Sequence, residues 1–418
     1  MFNSISISWF LLVFSLFLFL LLFSCGVDCY FGYNAVFNGY FVFDCVSFYL
    51  ILLVLILGIC SYIMFSNSLS TNTYIFLFLS LVCSSVCFCI NHCIIFWVVY
   101  ELSMLPLLYL IFAESPYSER FLAGWYFAAY LIITSLPLLL IFIYISFVNG
   151  SLFFNCWYYD NSGITYCIFL LLSFVFFTKI PLFPFHTWLP IVHAEATSIV
   201  SIFLSGYIMK LGLLGIYRCT YFIFNSDFIV YLFLCCVMSI LFFVTACNEL
   251  DGKRWLAFLS LSHIVIPFIG LFVGDFVVVN FSFFYCLGHG ISAGIVFGLL
   301  WYFYELSNSR NWILLKSSLN GKTLMLIVVF SMLTLCSFPL TIQFFCEVCL
   351  IKQCYGILLY VFFWCLYLFF GGLIPLVLCG HLLIRVEFCD FSSNCIWYCF
   401  NYFLVVLCIW CYFSVLFL

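Results

Sequence analysis

The chain has 418 residues and a formal net charge of −4, with 68% hydrophobic and only 6% charged residues. Soluble proteins carry about 25% charged residues, so a soluble globular protein is excluded. Apolar runs of roughly 20 residues recur from end to end, which marks a polytopic helical membrane protein rather than a β-barrel of short alternating segments.

The first apolar block lies near residues 5–24. It lacks a basic leader and a small-residue cleavage site, so it reads as a retained helix, not a signal peptide. No Arg- and Ser-rich transit segment precedes it, which suits a bacterial protein or one made inside an organelle. A polar loop with Asp28 and Asn34 follows, then blocks near 41–66, 72–90, 92–113 and 119–148. The next block starts near 164 and runs into "FTKIPLFPFHTWLPIVHAEAT", residues 177–197. Further blocks lie near 195–218, 228–248, 253–273, 275–304, 321–351, 355–385 and 394–418, about thirteen in all. The links are short, so residues 1–418 read as a single all-α transmembrane domain with no soluble domain. Eleven basic residues are too few for charge bias to fix its orientation.

The 26 cysteines are scattered through apolar runs, unlike the disulfide frameworks of short secreted proteins. "CEVC" brings Cys346 and Cys349 together, but structural metal sites use four ligands, so no metal is expected. The excess of Phe (59), Tyr (28) and Cys (26) fits T-rich codons and hence a T-biased organellar genome.

The informative residues are ionisable ones inside apolar blocks. Glu101 has His92 nine residues before it and Glu114 thirteen after, so at about 1.5 Å per residue it sits near mid-membrane. Lys210 lies between Glu195 and Arg218, His263 between Arg254 and Asp275, and His289 between Asp275 and Glu305. Glu347 follows a charge-free run reaching back to Lys322. Each charge at the bilayer centre costs roughly 2.5–3.5 kcal/mol, so Glu101, Lys179, Lys210 and Glu347 would cost on the order of 10–14 kcal/mol if lipid-facing and unpaired. They are therefore expected to face one another or a wet interior. A lone lysine such as Lys179 can also snorkel from a helix end, and His263 and His289 can simply tie helices together.

Pro181, Pro184 and Pro190 each lack a backbone N–H and predict a broken helix beside Lys179. Pro339 predicts a second break before Glu347. Broken helices with ionisable residues at the break are the architecture of ion transporters. Two of them in separate halves predict an inverted repeat, near 67–220 and 225–390, followed by a C-terminal helix at 391–418. The spacing agrees loosely: Glu101 to Lys179 is 78 residues (179 − 101), and His263 to Glu347 is 84 (347 − 263). Carboxylate, lysine and histidine all change protonation when burial and neighbours alter their affinity. The residues alone thus point to a proton or cation pathway, with a helix-tying role as the alternative.

The order of motifs adds a resemblance. "WVVYELSMLP", "FTKIPLFPFHTWLPIVHAEAT", "GYIMKLGLLGIYR", "DGKRWLAFLSLSHI" and "GHGISAGIVFGLLWYFYE" resemble, in sequence order, the motifs of the antiporter-like subunits of respiratory complex I. The match runs from about 41 to 385. The resemblance implies a proton-translocation axis of Glu101, Lys179, Lys210, His263, His289 and Glu347, with Glu101 and Lys179 pairing in one state. It implies a chain that takes part in NADH:ubiquinone reduction only as a subunit, with no redox chemistry of its own. FMN, iron–sulfur clusters and ubiquinone would then belong to other subunits. Other membrane-arm subunits, above all neighbouring antiporter-like ones, and lipids are the implied partners, with no nucleic acid. The mitochondrial inner membrane is the implied location, and a subunit of a multi-subunit cation/proton antiporter is the alternative. The chain departs from the family pattern in three places. One span rather than two precedes Asp44, Thr197 replaces a proline in "HAEAT", and "SFPLTIQFFCE" lacks the glycines usual before this glutamate.

Overall fold

Hydrocarbon offers the backbone no hydrogen-bond partner, so a chain this apolar can be stable only where each segment satisfies its own amides. The computed structural model describes residues 36–65, 69–158, 166–220, 228–273, 276–315, 322–354, 356–384 and 394–414. These are almost entirely helical. The helices are α1 (Cys45–Met64), α2 (Thr71–Cys87), α3 (Cys93–Glu114), α4 (Arg120–Asn149), α5 (Tyr166–Lys179) and α6 (Trp188–Glu195). They continue with α7 (Ser198–Phe203), a π-helical turn at Leu204–Ile208, α8 (Met209–Thr220), α9 (Ile229–Asn248), α10 (Gly252–Val273) and α11 (Phe276–Ser307). Last come α12 (Trp312–Leu315), α13 (Lys322–Leu335), α14 (Ile342–Cys354), α15 (Leu358–Leu383) and α16 (Asn394–Phe413). Among the described residues, eight helices are long and apolar enough to cross a membrane. The expected first span near 5–24, with Asp28, lies outside the described residues.

One expectation changes and one break is seen where it was predicted. The block predicted to begin near 41 opens instead on an antiparallel hairpin, Val36–Asn38 with Phe41–Phe43. The helix waits for Asp44, whose carboxylate accepts from the Ser47 N–H while the Ser47 hydroxyl accepts from the Asp44 N–H. That reciprocal box holds the start of α1. The block at 321–351 is two helices, α13 and α14, separated at Pro339 as the proline predicts.

The hairpin closes one end of the molecule. Val42 N–H donates to the Cys89 carbonyl (2.8 Å) and Cys93 N–H to Leu152 (2.9 Å), so hairpin, α2–α3 link and the segment after α4 are stitched together. Arg218, at the end of α8, reaches the Asp44 carboxylate at 3.1 Å. At the opposite end, Gly252 N–H donates to Arg310 (3.0 Å) and Trp312 N–H to Leu250 (3.1 Å), which ties the start of α10 to the segment after α11.

The order of elements occurs twice. Helices α2, α3 and the long α4 precede the broken α5–α6 and then α7–α8; helices α9, α10 and the long α11 precede the broken α13–α14 and then α15. Glycines let the helices that carry the charges approach closely. A Cβ on Gly215 would stand 2.2 Å from Cε1 of Phe176, and one on Gly212 would stand 3.3 Å from the Ile180 nitrogen. Helix α8 therefore crosses α5 right at its break.

Candidate functional site

The first break is where the apolar chain sacrifices helical hydrogen bonds. Lys179 closes α5, and residues 180–187 turn before α6 resumes at Trp188. Side chains replace part of what is lost: Trp188 Nε1 donates to the Thr178 carbonyl (3.0 Å) and the Tyr231 hydroxyl to that of Phe183 (2.7 Å). The Lys179 side chain is 2% exposed and donates to Glu101 Oε1 at 3.0 Å. Its ammonium also lies 4.4 Å from the centre of the Tyr100 ring, a cation–π contact on the buried side. Burial and direct pairing with a carboxylate leave no room for snorkelling.

Lys210 is fully buried on α8, whose Gly212 packs against the backbone of Lys179 and Ile180 at the first break. The π turn just before it widens the helix, with Met209 N–H donating to the Leu204 carbonyl five residues back. The Lys210 ammonium donates to the carbonyl of Ser205 within that widened turn. Single π turns inside α-helices concentrate at functional sites because they free such backbone groups.

The second half gathers the remaining predicted residues. His263 and His289 are both 1% exposed, with ring centres 5.4 Å apart. Both lie within electrostatic reach of Lys210. His263 Nδ1 is 2.5 Å from the Tyr367 hydroxyl and 3.2 Å from that of Tyr285. Neither ring nitrogen of His289 has a protein partner. At the second break, Ser337 donates to Glu347 Oε1 at 2.8 Å, while Oε2 has no protein partner. Tyr285 and Tyr367 lie within electrostatic reach of Glu347. The break is made without glycine: Ser337 (φ 50°) and Leu340 (φ 87°) hold left-handed backbone, which costs about 1–3 kcal/mol each and persists only where surrounding contacts enforce it.

One pair is thus in direct contact, Glu101 with Lys179. Lys210, His263 and His289 form a buried group beside it, and Glu347 joins that group through Tyr285 and Tyr367. Sequence reasoning missed those tyrosines because Tyr is common in this chain and unremarkable in an apolar run. It also missed Gln343, whose amide in the orientation that satisfies both ends donates to the Thr334 carbonyl (2.7 Å) and accepts from Ser292 (3.1 Å). A buried Gln four residues before Glu347 was the available signal.

A second polar cluster was also missed. Arg310 lies 3.5 Å from Glu195 and 3.5 Å from Asp251, and stacks 4.2 Å from the Tyr117 ring centre. Buried Lys253 donates to the Ala196 carbonyl at 2.8 Å. Burial, reinforced by neighbouring Tyr304, pushes the Tyr117 hydroxyl well above the ordinary phenol range and keeps it protonated.

Residues 91–374 match the model of a membrane family described as NADH:quinone oxidoreductase/Mrp antiporter. The chain belongs to this family. Two relatives within it are named NADH-ubiquinone oxidoreductase chain 4. That of Rhipicephalus sanguineus is 30% identical over 322 residues, covering 74% of this chain and 72% of the relative. That of Locusta migratoria is 33% identical over 298 residues, covering 67% and 65%. Among solved structures, the NADH:quinone oxidoreductase/Mrp antiporter fold recurs in respiratory complex I from Thermus thermophilus with bound NADH. Its TM-score is 0.77 at 18% identity, over 90% of this chain and 83% of the other. An Mrp complex from Dietzia sp. matches with a TM-score of 0.72 at 17% identity, over 84% and 67%. At such identities these two likenesses bear on fold alone.

Proposed function

We propose that this chain is a proton-translocating membrane-arm subunit of a respiratory NADH:ubiquinone oxidoreductase, a multi-pass protein of the mitochondrial inner membrane. The observation that carries the mechanism is the Glu101–Lys179 ion pair, 3.0 Å long, with its lysine buried and set against a helix break. An ion pair in low dielectric is a charge switch. While it is closed, carboxylate and ammonium stabilise each other's charge; a charge arriving at either partner weakens the pair and lets a proton move on. Lys210, His263, His289 and Glu347 continue the line into the second half, so a proton released at one point changes affinities at the next. The buried nitrogens of His289 and the free oxygen of Glu347 are polar groups that ordered water would bridge.

The two halves are the inverted repeats, about residues 67–220 and 225–390, with the helix in 391–418 outside them. Each half crosses the membrane an odd number of times, counting each broken helix as one crossing, so the second half begins on the opposite side from the first. Quinone reduction and its cofactors, FMN, iron–sulfur clusters and ubiquinone, lie in other subunits. This chain supplies the side chains that hold and move protons. Other membrane-arm subunits are its partners, and neighbouring antiporter-like ones pass charge to and from Glu101 and Glu347. Lipid covers exposed apolar faces such as those of α4 and α15.

The test is Glu101→Gln in the assembled enzyme, in sealed membrane vesicles. The substitution keeps shape and hydrogen bonding but removes the charge. Protons moved per NADH oxidised fall severely while the complex still assembles. Normal pumping by an intact assembly sinks the reading and leaves a helix-tying role. Sodium- or potassium-dependent exchange without NADH or quinone moves the chain to the antiporter side of its family.

A further inference from the structure

Neither the pair at the first break nor the second-half group uses Tyr207. It is the fourth residue of the π turn at Leu204–Ile208, three residues before Lys210. Tyr207 and Ser80 are both fully buried, and their hydroxyl oxygens lie 2.7 Å apart. Ser80, on α2, also donates to the Ser103 carbonyl of α3 at 2.6 Å. A serine hydroxyl has one proton to give. That proton is committed to Ser103, so the Tyr207 hydroxyl is the donor to Ser80. The chain of bonds therefore runs one way, from the π turn through α2 to α3.

Both ends of this chain meet backbone that does not fix its own register. Ser103 is two residues after Glu101, and Pro106 lies within the same helix. Proline has no N–H for the carbonyl four residues back, that of Leu102, so the ladder of α3 is interrupted just past Glu101. The Ser80 hydroxyl brings an outside bond to the next carbonyl. The π turn holds one residue more than an α turn, and losing it would swing Lys210 by ~100° about the helix axis. Packing presses on that turn from two sides. A Cβ on Gly290 of α11 would stand 3.2 Å from the Gly206 carbonyl oxygen, and one on Gly206 would stand 2.6 Å from Leu57 Cδ1 of α1. Such contacts are not directional. The Tyr207 ring lies 5.5 Å from that of Phe203, a contact that phenylalanine would make equally well. What the tyrosine adds is its hydroxyl, and with it a directional bond.

We propose that Tyr207 and Ser80 are positioning residues for proton translocation: their hydroxyls form a strut that holds the π turn ahead of Lys210 in register with the segment of α3 that carries Glu101. This rests on the pumping role proposed above. Neither hydroxyl passes its proton along the line of charged groups. The strut fixes the separation across which Lys210 and the Glu101–Lys179 pair act on each other.

The test compares Tyr207→Phe with Glu101→Gln in the assembled enzyme, in sealed vesicles. Phenylalanine keeps the ring and loses only the hydroxyl. Proton translocation per assembled enzyme slows on the order of 10-fold, as a small displacement of the working groups would cause. Ser80→Ala cuts the strut from the α2 side and gives the same loss, while Ser80→Thr, which keeps a hydroxyl, restores most of it. Tyr207→Phe/Ser80→Ala is no slower than either single variant, because both remove one link. A merely structural role would lower the amount of assembled enzyme and leave translocation by each assembled copy untouched. Should Tyr207→Phe abolish assembly, Ser80→Ala and Ser80→Thr make the same comparison. Normal translocation in Tyr207→Phe or Ser80→Ala overturns the strut, as do additive losses in the double variant or a Ser80→Thr enzyme as slow as Ser80→Ala. If Glu101→Gln alone stops pumping, the strut falls and the axis stands. If Glu101→Gln pumps normally, the underlying reading fails first.

Discussion

With Glu101 neutralised, the Lys179 ammonium keeps only the face of the Tyr100 ring among its described contacts. Breaking a buried ion pair from one side costs about 3–5 kcal/mol, because the remaining charge is left in low dielectric without its counter-ion. Removing both charges costs much less. Stability and function should therefore separate in a cycle of variants. Lys179→Met leaves the Glu101 carboxylate unpaired and lowers the thermal midpoint of the purified assembly. The double variant Glu101→Gln/Lys179→Met recovers most of that midpoint, yet still fails to pump. A double variant whose loss equals the sum of the losses of Glu101→Gln and Lys179→Met would show that the pair is not energetically coupled. This pair was only half legible in the sequence. The cost of each charge in an apolar run marked both residues as needing partners, but a separation of 78 residues hides which partner each one meets.

At the scale of helices, the breaks were legible and their surroundings were not. Proline leaves a mark in sequence because its missing N–H must interrupt the ladder, so both discontinuous helices could be placed beside Lys179 and before Glu347. The π turn ahead of Lys210 has no such mark, since its residues, LSGYI, are all compatible with an ordinary helix. The hairpin ahead of α1 was hidden because its apolar residues read as a continuation of the helical block. The close crossing of α8 over α5 depends on glycine, and it keeps Lys210 next to the break that holds Lys179. Gly215→Val tests it. A Cβ there meets three atoms of the Phe176 ring at 2.2–2.7 Å, and a rigid ring cannot bend aside, so the helices must part. Overpacking of this kind costs roughly 1–3 kcal/mol. We expect a lower yield of assembled complex on native gels and slower pumping in what assembles. Unchanged pumping in Gly215→Val would mean that the distance between α5 and α8 does not matter to the relay.

The whole molecule works only if its two halves hold a fixed relation, because the proposed line of protonatable groups crosses from one to the other. The residues that fix this relation at one end are Arg310 and its partners. Arg310 contacts Glu195 at the end of the first broken helix and Asp251 at the start of α10, and it donates to the Ala194 carbonyl as well. One guanidinium thus joins the end of the first half's break to the second half. Sequence reading assigned no role to Arg310, since a charge near a helix end is normally a solvated one, and only the fold brings its partners together. A guanidinium suits the place because its planar fork of donors can reach two carboxylates and a carbonyl while its face stacks on Tyr117. Lysine offers a point charge and no stacking face, so Arg310→Lys should restore only part of what Arg310→Gln loses. Hydrogen bonds to charged groups are worth about 1.5–3 kcal/mol, and partial exposure of Arg310 puts the expected loss toward the lower figure. We expect Arg310→Gln to lower the thermal midpoint of the detergent-purified assembly, with Arg310→Lys intermediate. Protons moved per NADH oxidised should fall in the same order, because the two halves that carry the proposed line of protonatable groups lose a tie at this end. A wild-type midpoint and proton yield in Arg310→Gln would show that the halves are held in register by the buried apolar contacts of α1 and α11 instead.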